Sequence, residues 1–203
     1  MSEYSCTASL YDPIVGPALR SMHRAMVRHL TRTAVDSLVD LCCGTGLLVG
    51  MTNSAGIPST GVDISRSMLA VARAKRPHGV FIREDATSLS FDDSTFAAAT
   101  LSFALHEKPF GLGCAILTEA VRVVQPGGQI LIADYATPPA GVSPWTHRII
   151  RLIERIAGKD HHRYFKEYMA RNGMEALFSE TGLKGHHIET HLSGWGALYQ
   201  IMC

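Results

Sequence analysis

Acidic side chains follow three short apolar runs in the first half of the chain, a pattern that could bind a polar ligand. Asp40 ends VDSLVD, Asp63 ends STGVD, and Asp85 follows GVFIRE. Gly44 and Gly46 come shortly after the first carboxylate, and their lack of a Cβ lets the backbone approach a ligand closely. Each carboxylate alone is typical of a turn or a helix N-cap, but three in corresponding positions predict a ligand site.

The spacing of these residues fits an adenosine. Asp63 lies 19 residues after Gly44, where a carboxylate can accept hydrogen bonds from both hydroxyls of a ribose. Asp85 can accept a hydrogen bond from the exocyclic amine of an adenine, and the N–H of Ala86 can donate to a ring nitrogen. The sequence therefore predicts an adenosine-containing ligand.

Asp40 bears on which adenosine ligand fits. A pyrophosphate at a helix N-terminus needs closely approaching glycines and no nearby negative charge, and Asp40 puts a carboxylate at this place. Val49 also occupies the position where G-x-G-x-x-G has its third glycine. A ligand with an α-ammonium and a sulfonium suits the carboxylate better. We therefore expect S-adenosylmethionine (SAM) as cofactor and S-adenosylhomocysteine (SAH) as its product.

The elements that must position these residues predict a single α/β domain over residues 1–203. Short β-rich runs alternate with amphipathic ones, which indicates βαβ crossovers, and two final runs, HHIETHL and ALYQIMC, resemble an antiparallel pair. We expect a Rossmann-like doubly wound fold, with a mostly parallel seven-stranded sheet, an antiparallel C-terminal edge strand and helices on both faces. The predicted strands before that pair are 35–41, 59–63, 79–83, 95–101 and 129–134; the helices are 14–32, 46–55, 65–75, 112–124, 145–157 and 164–181, with a lid-like helical insertion at about 140–180.

Composition argues against several other classes of protein. The net charge of +1 favours neither nucleic acid nor an anionic surface, and no apolar stretch reaches the roughly 18 residues of a membrane span. The N-terminus lacks the pattern of a secretory signal, and five scattered cysteines indicate reduced thiols, so we expect a cytoplasmic location. The histidines between positions 161 and 191 lack a spacing that would hold one ion, so no metal is expected.

Four segments of the chain resemble the motifs of class I SAM-dependent methyltransferases. They are VDLCCGTG, GVDISRSML, EDATSLSFDDSTFAAATLSFALHE and RVVQPGGQILIADY, in the family's order, between residues 35 and 135. The stretch TLSFAL, the turn in LSGWGALYQ and the N-terminal YDPIVGP are similar to segments of the ubiquinone/menaquinone biosynthesis methyltransferases. The segment at 140–175 is shorter than in that family and matches it poorly.

The resemblance implies a role for each matching residue. Asp40 and the Gly44–Gly46 backbone would face the methionine end of SAM, and Asp63 the ribose. Ile64, Asp85 and Ala86 would surround the adenine, and Ser102 would lie near the sulfur. Cys42 is expected to be a small packing residue whose backbone faces the ligand, and Tyr11 to close over the cofactor. The full set of expected cofactor-binding residues is Tyr11, Asp40, Cys42, Gly44, Gly46, Asp63, Ile64, Asp85, Ala86 and Ser102.

His106 is the first candidate for a general base, because it follows the fourth predicted strand and histidine titrates near neutral pH. Its alternative is a loop histidine that caps the next helix. Tyr135 and Asp134 are further candidates, although the related family favours glutamate-phenylalanine at these positions. The departures at 106–108 and 134–135 leave the acceptor open.

Three functions remain in view at this point. The first is methyl transfer from SAM to a small or lipid-like acceptor, such as a quinol or another aromatic ring compound, with peripheral membrane contact left open. The second is a SAM- or nucleotide-binding regulatory module without turnover. The third is an NAD(P) oxidoreductase, which Asp40 and Val49 disfavour.

Overall fold

A computed structural model describes residues 16–137 and 159–203 of the chain. They form a seven-stranded sheet with the order β3-β2-β1-β4-β5-β7-β6. The strands are β1 Leu38–Leu41, β2 Ser59–Val62, β3 Val80–Ile82, β4 Phe96–Ser102, β5 Val124–Tyr135, β6 Gly185–His191 and β7 Gly196–Met202. The helices are α1 Gly16–Arg32, α2 Leu47–Ser54, α3 Arg66–Lys75, α4 Phe110–Val123, α5 Lys159–Ala170 and α6 Met174–Thr181.

The first five strands are parallel, as the alternation of strands and helices predicts. Strand β1 pairs with β2 on one side and with β4 on the other. The chain thus reverses its direction of travel across the sheet between β1 and β4, and a crevice opens beyond the carboxyl ends of strands at such a switch. The expected Rossmann-like, doubly wound fold is confirmed.

The two C-terminal strands complete the sheet. Strand β7 runs antiparallel to β5, with Tyr135 opposite Gly196, and antiparallel to β6 on its other side. The antiparallel strand therefore lies one position inside the edge, and β6, which precedes it in sequence, forms the edge itself. The antiparallel pair that the two final runs predict is present.

Helices pack on both faces of the sheet. The apolar stripe of α1 buries Met22, Met26 and Leu30 completely, and α1 contacts α2 and β5, while α4 contacts α5 and α6. No helix within residues 16–137 and 159–203 is long and apolar enough to cross a membrane. The predicted helix at 145–157 and much of the expected insertion lie outside the described residues.

A small second hydrophobic core lies between α2, α3 and β3. It consists of Val49, Leu69, Ala72 and Phe81, with Cys43 packed against them. The Phe81 ring occupies space that glycines leave: a Cβ on Gly46, Gly61 or Gly79 would come within 2.5, 2.8 and 2.6 Å of that ring, respectively. Such distances are too short for real contacts, so this phenylalanine requires glycine at all three neighbouring positions.

Candidate active site

A cleft of about 1060 Å³ lies over the carboxyl ends of β1 to β4. Eight of the residues expected from the sequence line it: Asp40, Cys42, Gly44, Asp63, Ile64, Asp85, Ala86 and Ser102. They come from the carboxyl ends of four different strands and the turns that follow them, which the sheet order brings together. The volume is that of a site for a ligand of cofactor size.

Asp63 ties two of these turns together. Its Oδ2 accepts a hydrogen bond from the Gly44 N–H at 2.8 Å, and its Oδ1 accepts one from the Ser65 N–H at 2.8 Å. Burial raises the pKa of this carboxyl group, and the two backbone hydrogen bonds oppose the shift. Since each carboxylate oxygen can accept a second hydrogen bond, Asp63 can still receive two donors from a ligand in the cleft.

Asp40 is a buried carboxylate on the wall of the same cleft. The Thr100 hydroxyl donates a hydrogen bond of 2.7 Å to its Oδ1. Burial raises the pKa of Asp40 to about 7, against the effect of the Thr100 hydrogen bond, and the charge of Asp63 adds to the rise. A bound cation would supply the electrostatic stabilisation that the ionised carboxylate lacks.

The two glycines of the turn have different reasons to be glycine. Gly44 lines the cleft at a φ of +54°, and a Cβ there would meet no protein atom within 4 Å, so it would project into free space. Gly46 is not among the residues that line the cleft, and its Cβ would collide with Phe81. The lack of a Cβ at Gly46 is thus explained by the packing of the small second core, and the role of its backbone toward the methionine end of SAM stays a prediction.

Ile64, Asp85 and Ala86 line the end of the cleft that lies beside β2 and β3. Ile64 lines it with 61% of its surface exposed, which is unusual for a large apolar side chain. Asp85 Oδ1 accepts hydrogen bonds from the N–H and hydroxyl of Thr87, and these bonds lower the pKa of Asp85. Ala86 is buried beside it. Asp85 thus forms the local turn that an aspartate can be expected to form, and it also faces the cleft.

The neighbouring cysteines take no part in metal or disulfide chemistry within the described residues. Cys42 lines the cleft, and burial raises the pKa of its thiol to about 11. Cys43 also lines the cleft and packs against the second core, where burial again raises its thiol pKa. Both side chains are uncharged at neutral pH, in agreement with their interpretation as small packing residues.

His106 and Tyr135 are not among the residues that line the described cleft, and a catalytic role for either stays a prediction. The carboxylate of Asp134 accepts hydrogen bonds from His106 Nδ1 at 2.7 Å and from the Leu105 N–H at 2.9 Å, which turns this loop toward β5. The Tyr135 ring packs against His106 and Phe165, with ring centres 4.7 and 5.1 Å apart. Tyr11 lies outside the described residues.

Several polar residues that were not expected from the sequence also line the cleft, and three of them contact other polar side chains directly. His23 of α1 lines it, and its Nε2 shares a hydrogen bond of 2.6 Å with Ser102 Oγ. Glu107 and Lys108 also line it and form an ion pair of 2.9 Å, while His161 lies 3.2 Å from the other oxygen of Glu107. One signal was available for His23, because it stands within the apolar stripe of α1 next to Met22.

The donors and shapes of this cleft fit SAM. Gly44 provides a cradle that a Cβ would fill, and Asp40 provides a buried carboxylate that forms no ion pair with any residue in 16–137 or 159–203. Asp63 has acceptor capacity for two hydroxyls, and exposed Ile64 offers an apolar surface to a flat ring. A pyrophosphate would instead bring negative charge toward Asp40 and Asp63.

Comparisons with known proteins agree with this geometry. A family model described as a methyltransferase domain matches residues 38–128. A demethylmenaquinone methyltransferase of Bacillus licheniformis is 33% identical over 178 residues, which cover 79% of this chain and 76% of that protein. One of Beutenbergia cavernae is 36% identical over 125 residues, which cover 59% of this chain and 49% of that protein.

A solved structure supports the fold. Magnesium protoporphyrin IX methyltransferase from Synechocystis PCC 6803, with bound SAH, superposes with a TM-score of 0.60 at 15% identity, covering 90% of this chain and 82% of that one. The chain spans about half the length of the Beutenbergia relative and about three quarters of the Bacillus one. SAM is the cofactor of this protein. The chain belongs to the class I SAM-dependent methyltransferases, in the ubiquinone/menaquinone biosynthesis branch.

Proposed function

We propose that this protein transfers the methyl group of SAM to a ring carbon of a reduced, quinone-like acceptor. The observation that carries the methyl-donor half is Asp40, a buried carboxylate on the cleft wall whose raised pKa would be relieved by a cationic ligand. The acceptor half is supported by the relatives, which are named demethylmenaquinone methyltransferases. One domain would carry both halves, since a single sheet runs from residue 38 to residue 202.

The cleft residues divide into two ends in this proposal. Asp63 would accept hydrogen bonds from the ribose hydroxyls, and Asp85, Ala86 and Ile64 would hold the adenine. Asp40 and the Gly44 backbone would hold the methionine end, and Ser102 would lie near the sulfur. This direction follows the order of the strands, because β3 and β2 lie on one side of β1 and β4 on the other.

Apolar side chains at the β4 side of the cleft suit a ring acceptor. Leu19 of α1, Phe103 after β4, and Leu112 and Ile116 of α4 line this part. Leu112 is 40% exposed, so an apolar ligand could cover surface that now faces water. Such walls also exclude water, which would otherwise compete as a methyl acceptor.

The chemistry requires the acceptor in its reduced form. Bound SAM supplies an electrophilic methyl group on a positively charged sulfur. A quinone ring is electron-poor, whereas a hydroquinone ring that loses a phenolic proton is electron-rich at its ring carbons. The protein therefore has to align the ring with the methyl group and accept one proton.

Methyl transfer can be tested with labelled SAM and a demethylmenaquinone that carries a short side chain. We expect a ring-methylated product, identified by mass spectrometry, when the quinone is reduced with dithionite under anaerobic conditions, and none from the oxidised quinone. Equal turnover of both forms would contradict the proposed chemistry. SAM binding with no product would instead favour a regulatory module, and binding of NADH in preference to SAM would favour an oxidoreductase.

The cofactor site can be tested separately by calorimetry. We expect Asp63→Ala to weaken SAM binding at least 30-fold, since hydrogen bonds to a charged group contribute about 2 kcal/mol or more. Asp92→Ala is the matched control, because Asp92 is exposed and lies outside the cleft lining. Unchanged affinity in Asp63→Ala would overturn the ribose assignment.

A further inference from the structure

His23 is a buried histidine that reaches the cleft from outside the sheet. It belongs to α1 and is only 3% exposed, and both it and Ser102 line the cleft. Its Nε2 lies 2.6 Å from Ser102 Oγ, across 79 residues of sequence. A hydroxyl and an imidazole nitrogen at this distance can pass a proton between them.

The pair lies at the end of the cleft where the methyl group would be. Ser102 is the last residue of β4, whereas Asp63 and Asp85 follow β2 and β3 on the opposite side of β1. Leu19 stands one helical turn before His23 and also lines the cleft, so this side of α1 presents an apolar residue and a base together. An acceptor ring on Leu19 would lie beside the pair.

We infer that Ser102 and His23 form a proton relay for the methyl acceptor, an inference that rests on the proposed function. A phenolic O–H of the acceptor donates its proton to Ser102 Oγ as the Ser102 hydroxyl proton moves to His23 Nε2. The ring carbon then forms its bond to the methyl carbon, and the methyl–sulfur bond breaks with its electron pair left on sulfur. The ring regains aromaticity by moving a proton from that carbon to its carbonyl oxygen. One proton, held by His23, is released per turnover.

His106 is less suited to this role. Its Nδ1 is held by Asp134, and its ring lies among Phe103, Tyr135 and Phe165, outside the cleft lining. The charged groups that share the cleft with His23 are Asp40, Asp63, Glu107 and Lys108, together with Arg66, Arg83, Glu84, Asp85 and Asp160 at its rim. Within the described cleft, only His23 combines an imidazole with direct contact to a residue at the end of β4.

Substitution of His23 separates proton acceptance from positioning. His23→Gln keeps a group that can hydrogen-bond Ser102 but cannot take up the proton. With reduced short-chain demethylmenaquinone, we expect kcat to fall about 100-fold while KM and the Kd for SAM change less than threefold. His29→Gln is the matched control, since His29 lies on the same helix and its Nε2 contacts Gln200 away from the cleft.

Chemical rescue provides a readout that a purely structural role would not give. In His23→Ala, we expect imidazole to restore kcat at least fivefold, whereas pyrazole, which has a similar shape and is a much weaker base, should not restore it. Rescue by both compounds alike would overturn the relay and leave His23 as a packing residue.

The outcomes distinguish the inference from the function on which it rests. Wild-type turnover with more than half of kcat retained in His23→Gln would overturn the relay and keep the methyltransferase proposal. A wild-type protein that binds SAM but does not methylate the reduced quinone would overturn the proposed acceptor and the relay with it. If His23→Gln does not fold, as judged by thermal melting, the His23→Ala rescue decides.

Discussion

Asp40 and Asp134 are both buried aspartates near the ends of parallel strands, yet the fold treats them differently. Asp134 accepts hydrogen bonds from the N–H groups of Leu105 and Tyr135 and from the His106 ring. Asp40 receives one hydrogen bond, from Thr100, among the contacts of the described residues. Asp134 is outside the cleft lining, whereas Asp40 is part of it. The carboxylate of Asp134, whose hydrogen bonds come from the protein itself, stabilises the fold. The carboxylate of Asp40 receives fewer hydrogen bonds from the protein and is therefore available to a ligand.

The largest expected effect comes from replacing Asp134, the aspartate whose hydrogen bonds come from the protein itself. Asp134→Asn leaves one acceptor oxygen where two serve His106, Leu105 and Tyr135, and brings an amide N–H toward donors. We expect a loss of about 3 kcal/mol in the free energy of unfolding, because each buried donor that is left without an acceptor costs about 1–3 kcal/mol. Urea denaturation measures this loss, and the Kd for SAM should change less than threefold. A stability near that of the wild type would contradict the structural role of Asp134.

Asp40→Asn is expected to have the opposite effects: weaker SAM binding and a more stable apoprotein. Asparagine can still accept the Thr100 hydrogen bond, but it carries no charge to attract a cation, so SAM binding should weaken roughly 100-fold, or about 2.7 kcal/mol. The apoprotein should become more stable, because ionising a buried carboxylate with a raised pKa costs stability as the pH rises from about 4 toward 7. The gain in melting temperature should therefore be larger at pH 8 than at pH 5. If Asp40→Asn is less stable than the wild type and binds SAM with unchanged affinity, Asp40 has a structural role and not a ligand-binding one.

The smallest expected effect is the pH dependence of SAM binding in the wild type. Since the pKa of Asp40 in the free protein is raised to about 7, a growing fraction of Asp40 is protonated below this pH and must lose its proton to pair with a cation. The affinity should fall with decreasing pH, approaching a tenfold loss per pH unit. Calorimetry from pH 5.5 to 8 measures this slope, and Asp40→Asn should flatten it. An equal slope in wild type and variant would assign the titration to another group.

Much of the fold and half of the site could be predicted from the sequence, because they depend on local order. Parallel strands align their carboxyl ends, so the residues after them had to meet once βαβ units were recognised, and Asp40, Asp63 and Asp85 do line one cleft. The elements themselves carried clear signals in periodicity, in the Ser65 N-cap, whose side chain accepts from Met68, and in the helix-ending glycines.

The rest depended on contacts between distant parts of the chain. His23 belongs to the cleft only because α1 packs over the end of β4, and no local pattern fixes that placement. His106 follows β4 as expected, but the Asp134 carboxylate of the neighbouring strand directs it away from the cleft. Gly46 resembles a ligand-binding glycine in the sequence, and only the position of Phe81 reveals its packing role.

The ring of Phe81, set against three glycines beneath the cofactor turns, gives this edge of the molecule a cooperative unit of its own. Its cluster shares no member with the main core, although Val62 of β2 belongs to that core, so we expect β3 and the glycine turn to open locally more readily than the remainder of the sheet. Amide hydrogen exchange in this unit would then report a lower opening free energy than in β4 or β5. A cofactor that contacts both Gly44 and Asp63 would stabilise the closed form of this unit. Ligand binding in the cleft would therefore make this edge of the sheet more rigid.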